Sequence, residues 1–266
     1  MFELTKEFSF HAAHSLKFLP VSHKCARLHG HTYRILFTVA GDIDPQKGWV
    51  VDFGEMGKAA QEMYELLDHH FLNELEEITE PTAELIAKFV FDRLQTKFPS
   101  LVRVTVYETQ TSSCTYSPFD TLVKVRVGPE VFSSAHVVVN PQFEEALHGH
   151  DFEVWAGCEV ALKKGFEARE ALEQALKIVV KELDHKTFLP KEQVNFMDNN
   201  VQYQWKGRTL HLKKDDVILI RGHSTAEGIA QYVASRITTY LDMPCPFLRI
   251  TLREEPGTLV EYSATS

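Results

Sequence analysis

Phe8-Ser9-Phe10-His11-Ala12-Ala13-His14 with Leu28-His29-Gly30-His31-Thr32-Tyr33 is answered later by Phe132-Ser133-Ser134-Ala135-His136 with Leu147-His148-Gly149-His150-Asp151-Phe152. A histidine, a short loop and a His-Gly-His therefore occur twice in the same order. Other landmarks recur in register. Leu67-Asp68-His69 is echoed by Leu183-Asp184-His185, Pro81-Thr82-Ala83-Glu84 by Ser224-Thr225-Ala226-Glu227, and Val104–Glu108 by Ile250–Glu254. Two copies are too few for a solenoid, which needs at least three stacked repeats. A duplicated domain is the better reading, with the copies at 1–118 and 119–266. No Gly/Ser-rich linker marks the junction near Pro118, so a flexible tether is not expected there.

Composition narrows the class. Hydrophobic content of 44% and charged content of 24% are those of a globular protein rather than a disordered one. The net charge is −9 and no Lys/Arg cluster appears, which argues against a nucleic-acid partner. No apolar run reaches the length of a membrane span. Four irregularly spaced cysteines do not make a disulfide framework and fit a reducing compartment. Met1-Phe2-Glu3-Leu4-Thr5 lacks the basic and apolar regions of a signal peptide. A cytoplasmic location is expected.

Hydrophobic periodicity sets the elements. Alternation over 2–10, 34–40 and 102–107 predicts strands, with a short third piece at Trp49–Phe53 and a closing strand at Cys114–Ser117. Met56, Ala60, Met63 and Leu67 share one face of a helix over 54–67. Thr82 is a candidate N-cap for a second helix that ends before Pro99. The second copy repeats this order, with strands near 122–132, 152–162, 247–254 and 258–263 and helices near 167–183 and 225–241. It adds an insertion in which Val201–Trp205, Lys206-Gly207 and Arg208–Leu212 read as a tight hairpin. Antiparallel strands interrupted by paired helices predict an α+β fold.

The histidines carry the chemistry. Residues two apart on a strand point to one face, so His29 and His31 pair, and the intervening Gly30 permits close backbone approach. With His14 they make three imidazoles, the ligand complement of an open catalytic zinc site. His136, His148 and His150 make a second such set. A lone histidine is usually structural; recurrence of three together points to ligation. Cys25, four residues before His29, has His23, Lys24 and Arg27 as neighbours, a setting that favours thiolate, although a small buried hydrophobe is the plainer reading. Asp68-His69 pairs a carboxylate with an imidazole it can orient. Glu108 ends an apolar strand and recurs as Glu254.

Cys25–His31, Gly48–Phe53, Leu67–His70, Pro81–Glu84 and Glu108 with Cys114-Thr115-Tyr116 closely resemble the 6-pyruvoyl-tetrahydropterin synthase family. The Cys25-x-x-x-His29-Gly30-His31 spacing is that of its bacterial branch, the 6-carboxytetrahydropterin synthases of the queuosine (7-deazaguanine) pathway. The likeness covers nearly all of 1–118 and is more distant over 119–266.

The resemblance implies two tandem tunnelling-fold units, each an antiparallel sheet with two helices, assembled into a barrel with active sites at unit interfaces. It implies zinc on His14, His29 and His31, Cys25 as general base, Asp68 and His69 completing the proton-transfer set, and Glu108 anchoring the pterin, with Glu254 as its weaker counterpart. The implied substrate is 7,8-dihydroneopterin triphosphate, converted to 6-carboxy-5,6,7,8-tetrahydropterin, acetaldehyde and triphosphate. The competing readings are a 6-pyruvoyl-tetrahydropterin synthase, which stops after triphosphate loss, and a non-catalytic pterin-binding scaffold. A homo-oligomer is expected, favouring three two-unit chains over two. The second copy departs at one place: Glu144, not cysteine, lies four residues before His148, Glu145 lies three before it, and Cys158 falls on the wrong side.

Overall fold

The computed structural model describes residues 1–120, 122–140, 143–205 and 207–265, without the side chains of 139, 140, 143–146, 205 and 265. The chain forms two compact units. One comprises Met1–Arg126 with Glu159–Arg169, the other Val127–Cys158 with Glu170–Ser266.

In the first unit, β1 (Phe2–His14) pairs antiparallel with β2 (His29–Gly41). Helices α1 (Phe53–Leu67) and α2 (Ala83–Gln95) follow, then β3 (Leu101–Thr109) and β4 (Ser112–Tyr116). β3 pairs antiparallel with both β2 and β4. Alternation along the strands buries Phe10, Tyr33, Ile35, Phe37, Val104 and Val106. α1 packs on β1 and α2 on β3 and β4. The predicted helical stripe Met56, Ala60, Met63 and Leu67 is buried, so the 3.6-residue period is decided by burial. Thr82 caps α2 as expected, accepting from the Leu85 N–H at 3.4 Å.

Trp49–Phe53 is not a strand. Gly48 at φ 81° closes a turn in which the Asp44 N–H donates to the Trp49 carbonyl at 3.0 Å. Asp52 then accepts from Gly54 and Glu55 N–H and starts α1. An acidic N-cap outcompetes a short β-branched run because it satisfies helix donors that otherwise lack partners.

The second unit holds most of β5 (Val123–Asn140) and β6 (Phe143–Val160), which are neighbours in the sheet, and most of α3 (Gly165–Leu183). β7 (Thr187–Pro190), β8 (Val194–Met197), β9 (Asn200–Trp205), β10 (Arg208–Lys213) and β11 (Val217–Ile220) come next. α4 (Ala226–Tyr240), β12 (Phe247–Arg253) and β13 (Val260–Thr265) complete it. β12 pairs antiparallel with β6 and β13. β7 pairs parallel with both β5 and β11.

The expected hairpin is β9–β10, with Trp205 opposite Arg208 and Gly207 at φ 73°; Lys206 lies outside the described residues. β8 adds a third antiparallel strand to it. Val137 of β5 packs with Leu189, Val201, Tyr203 and Val217, so the insertion shares a small core with β5. β7, β8 and β11 escape sequence reading because four residues are too few to show a period. Antiparallel ladders interrupted by helices fit the expected α+β class. Among the described residues no helix is long and apolar enough to cross a membrane.

Candidate active site and metal centre

The β1–β2 register sets His14 opposite His29 and Ala12 opposite His31. Gly30 lies tight against the backbone of β1. A Cβ there would lie 2.9 Å from the Ala12 carbonyl oxygen, and one at Gly149 would lie 3.1 Å from that of Ser134. A side chain at either position would push apart the strands that carry the imidazoles.

One ligand atom each from His14, His29 and His31 lies within 4.8 Å of the others, and His136, His148 and His150 form an equal set. The tautomers follow from the outer contacts. His14 Nδ1 donates to the Pro81 carbonyl at 2.8 Å, and His29 Nδ1 to that of Arg27 at 2.8 Å. Carbonyls only accept, so each neutral ring holds its proton on Nδ1 and turns the Nε2 lone pair inward. His14 Nε2 and His29 Nε2 then face each other across 3.1 Å. Two lone pairs at that distance repel unless a cation lies between them. Burial lowers the His14 pKa to about 4, although Pro81 and Glu108 oppose it, so the ring is neutral at pH 7. The donor set suits zinc. In the second unit His136 Nδ1 makes the corresponding 2.8 Å bond to the Ser224 carbonyl.

A carboxylate stands beside each set. Glu108 Oε1 is 3.6 Å from His14 Nε2 and 3.9 Å from His31 Nε2. Glu254 Oε1 is 3.3 Å from His136 Nε2 and 4.0 Å from His150 Nε2. Burial would raise the Glu108 pKa, but Arg169, His14 and His31 outweigh it and hold the group below the usual carboxylate range. Arg169 Nη1 donates to Glu108 Oε2 at 2.5 Å. A guanidinium of the chain itself thus lies on the carboxylate that the family resemblance gives as the pterin anchor. Sequence reasoning missed Arg169. The available signal was a charge three residues before Leu172 on the apolar stripe of α3. It also missed Tyr33, a buried phenol with ring centroids 5.9 Å from His14 and 5.6 Å from His31.

Asp68 and His69 are joined, His69 Nδ1 to Asp68 Oδ2 at 2.5 Å. The turn docks on β1, where the His11 N–H donates to Asp68 Oδ1 at 2.8 Å and the His69 N–H donates to the His11 carbonyl at 2.6 Å. His69 has φ 58° and His185, its counterpart, 60°. Asp184 and His185 repeat the docking at Ser133. His69 and His31 line one pocket with His11, Gly30 and Phe71; His185 and His150 line another with Ser133 and Gly149.

Cys25 lies in the short helical turn Lys24–Ala26. Its carbonyl accepts from the Leu16 N–H at 2.9 Å, and its own N–H donates to His23 Nδ1 at 3.1 Å. The thiol loop therefore docks two residues beyond His14, while Asp68-His69 docks three residues before it. Within this unit the two anchor points are about 16 Å apart along extended chain. The side chains of Glu144 and Glu145 lie outside the described ones.

The His11 N–H, then the Tyr64 hydroxyl and His69, lower the Asp68 pKa to about 2. A carboxylate depressed below its unfolded value of about 3.9 adds stability above that pH and loses it as pH falls through the folded value. Asp68→Asn is therefore expected to lower the urea midpoint at pH 7. The gap from the parent protein should close as pH falls from about 4 to about 2. A gap independent of pH would show that the Asp68 charge is not what holds this turn.

The profile of the 6-pyruvoyl tetrahydropterin synthase family matches residues 3–118 and again residues 126–265. The chain belongs to that family. Its duplication is thus a repetition of the family's own domain. The sequence is 37% identical over 131 residues to the 6-carboxy-5,6,7,8-tetrahydropterin synthase of Bacillus subtilis, covering 44% of this chain and 86% of that protein. It is 32% identical over 130 residues to the human 6-pyruvoyl tetrahydrobiopterin synthase, covering 43% and 90%. Over its whole length the chain is similar in fold to the uricase of Arthrobacter globiformis, at TM-score 0.53 and 7% identity, with 94% of that chain covered.

Proposed function

We propose that this member of the family is a zinc-dependent 6-carboxy-5,6,7,8-tetrahydropterin synthase. It would convert 7,8-dihydroneopterin triphosphate to 6-carboxytetrahydropterin, acetaldehyde and triphosphate in 7-deazaguanine biosynthesis. The observation that supports this reading is the cluster of ligand atoms from His14, His29 and His31, with Nε2 of His14 and His29 turned inward, beside the Glu108 carboxylate, on a chain similar to proteins with that name.

His14, His29 and His31 would hold the zinc, which would supply a Lewis acid for the side-chain oxygens of the substrate. Glu108 takes an N–H of the pterin ring and sets the side chain toward the metal. Cys25, as thiolate, removes a proton from a side-chain carbon. His69, held in one tautomer by Asp68, returns a proton elsewhere. The exchange is internal and needs no nicotinamide. Because Cys25 and His69 dock at opposite ends of the His14 segment, an active site shared across unit interfaces suits the roles given to them. Such sites favour an assembly of three two-unit chains, in the cytoplasm, on a small-molecule substrate. The second unit has the equivalents of every group but the thiol, and its role is to complete the assembly.

Product identity tests the proposal. Incubation of the zinc-loaded protein with 7,8-dihydroneopterin triphosphate should give 6-carboxytetrahydropterin by mass. Accumulation of the 6-pyruvoyl compound would replace the assignment with the sister activity. An unchanged substrate would leave only a binding scaffold.

A further inference from the structure

Arg169 is the fifth residue of α3, in the segment 159–169 that belongs to the first unit. It is 6% exposed, Glu108 is 7% and Glu84 is 1%. Its guanidinium is shared among fixed partners. Nη1 donates to Glu108 Oε2 at 2.5 Å and to Ser112 Oγ at 3.0 Å, and Nε donates to Glu84 Oε1 at 3.3 Å. Close approach of this segment is built in, because a Cβ at Gly165 would fall 2.3 Å from Glu84 Cγ. Phe166 sits edge-on to Phe18, with ring centroids 5.6 Å apart, and 6.3 Å from the His23 ring, in the loop that carries Cys25. With Asp184 laid on Asp68, Arg169 falls at the position of Phe53 in the first copy. It is therefore a departure between the repeats, not a shared feature.

We infer that Arg169 is a positioning residue of the first site: it grips Glu108 by Oε2 and leaves Oε1 to meet the ligand beside His14 and His31. The inference rests on the pterin reading above. A swing of Arg169 out of the site would leave two buried carboxylates without their cation, which is strongly unfavourable. The guanidinium therefore stays, and a pterin edge is read through one oxygen of Glu108 rather than gripped across both. The orientation of the ring, and with it the reach of its side chain toward the histidines, is set by a residue from the second repeat.

The test uses the full chain. Arg169→Gln and Arg169→Lys are compared with the parent protein for zinc content, for neopterin affinity by ligand fluorescence, and for KM and kcat with 7,8-dihydroneopterin triphosphate. Loss of a charge-assisted contact geometry is worth roughly tenfold. Arg169→Gln should weaken neopterin binding and raise KM by about tenfold or more, with zinc content unchanged and kcat within about threefold. Arg169→Lys keeps the charge but cannot span Glu84, Ser112 and Glu108, so it should fall between. A merely structural role would lower zinc content and kcat together and leave the affinity of the folded fraction intact. Unchanged or tighter neopterin binding in the variants would overturn the inference. If Arg169→Gln does not fold, Arg169→Lys decides by the same readouts. Failure of the parent protein to bind neopterin would overturn the pterin reading and this inference together. Binding by the parent with indifferent variants would overturn this inference alone.

Discussion

Replacing His29 and His31 together by alanine should remove one zinc per chain and reduce product formation to background. Both side chains are only partly buried, so their loss leaves the packing of β1 on β2 intact, and the far-ultraviolet dichroism should not change. What disappears is two of three donors. A single imidazole, His14, does not hold zinc against water. The parent protein should carry up to two zinc ions per chain, one for each histidine set, and the variant one. The large effect follows from where the lone pairs point: with Nδ1 committed to Pro81 and Arg27 carbonyls, the Nε2 atoms have no alternative partner as favourable as a cation. Retention of both metal ions and of turnover would contradict the ligand assignment.

Cys25→Ala should keep fold and zinc and lose most turnover. The loop around Cys25 is held through its backbone, by the Leu16 N–H and by His23 Nδ1, and neither contact involves sulfur. The substitution leaves both of these backbone contacts in place. A general base contributes about a hundred- to ten-thousand-fold, and a fall in kcat of that order at unchanged zinc content is the expected result. A fall of less than about threefold would assign proton removal to another group.

The groups that face one another across short stretches of chain could be read from the sequence. His29-Gly30-His31 sits on a strand whose two-residue period puts both rings on one face, and Gly30 proves to stand where the strands touch. The Asp68-His69 turn and its Asp184-His185 copy were visible as adjacent pairs, and both dock on the strand that carries the first histidine. The Thr82 cap and the hydrophobic stripe of α1 were likewise local. Longer-range matters were not. Arg169 meets Glu108 across 61 positions and Glu84 across 85, and no periodicity links partners so far apart. Trp49–Phe53 reads as a strand by composition, and only the capping bond of Asp52 turns it toward a helix. The short strands of the insertion owe their form to packing around Leu189, Val201 and Tyr203. Local propensity yields to such burial.

In the proposed function the duplicated histidine site would do its chemistry through the copy that kept the thiol. The most direct test is acetaldehyde release from 7,8-dihydroneopterin triphosphate by Cys25→Ala and by Glu144→Ala/Glu145→Ala, measured in parallel at matched zinc content. Near-background release is expected from the Cys25 variant and release within about twofold of the parent from the double glutamate variant, since a general base contributes about a hundredfold or more. Equal losses from the two variants would contradict this expectation.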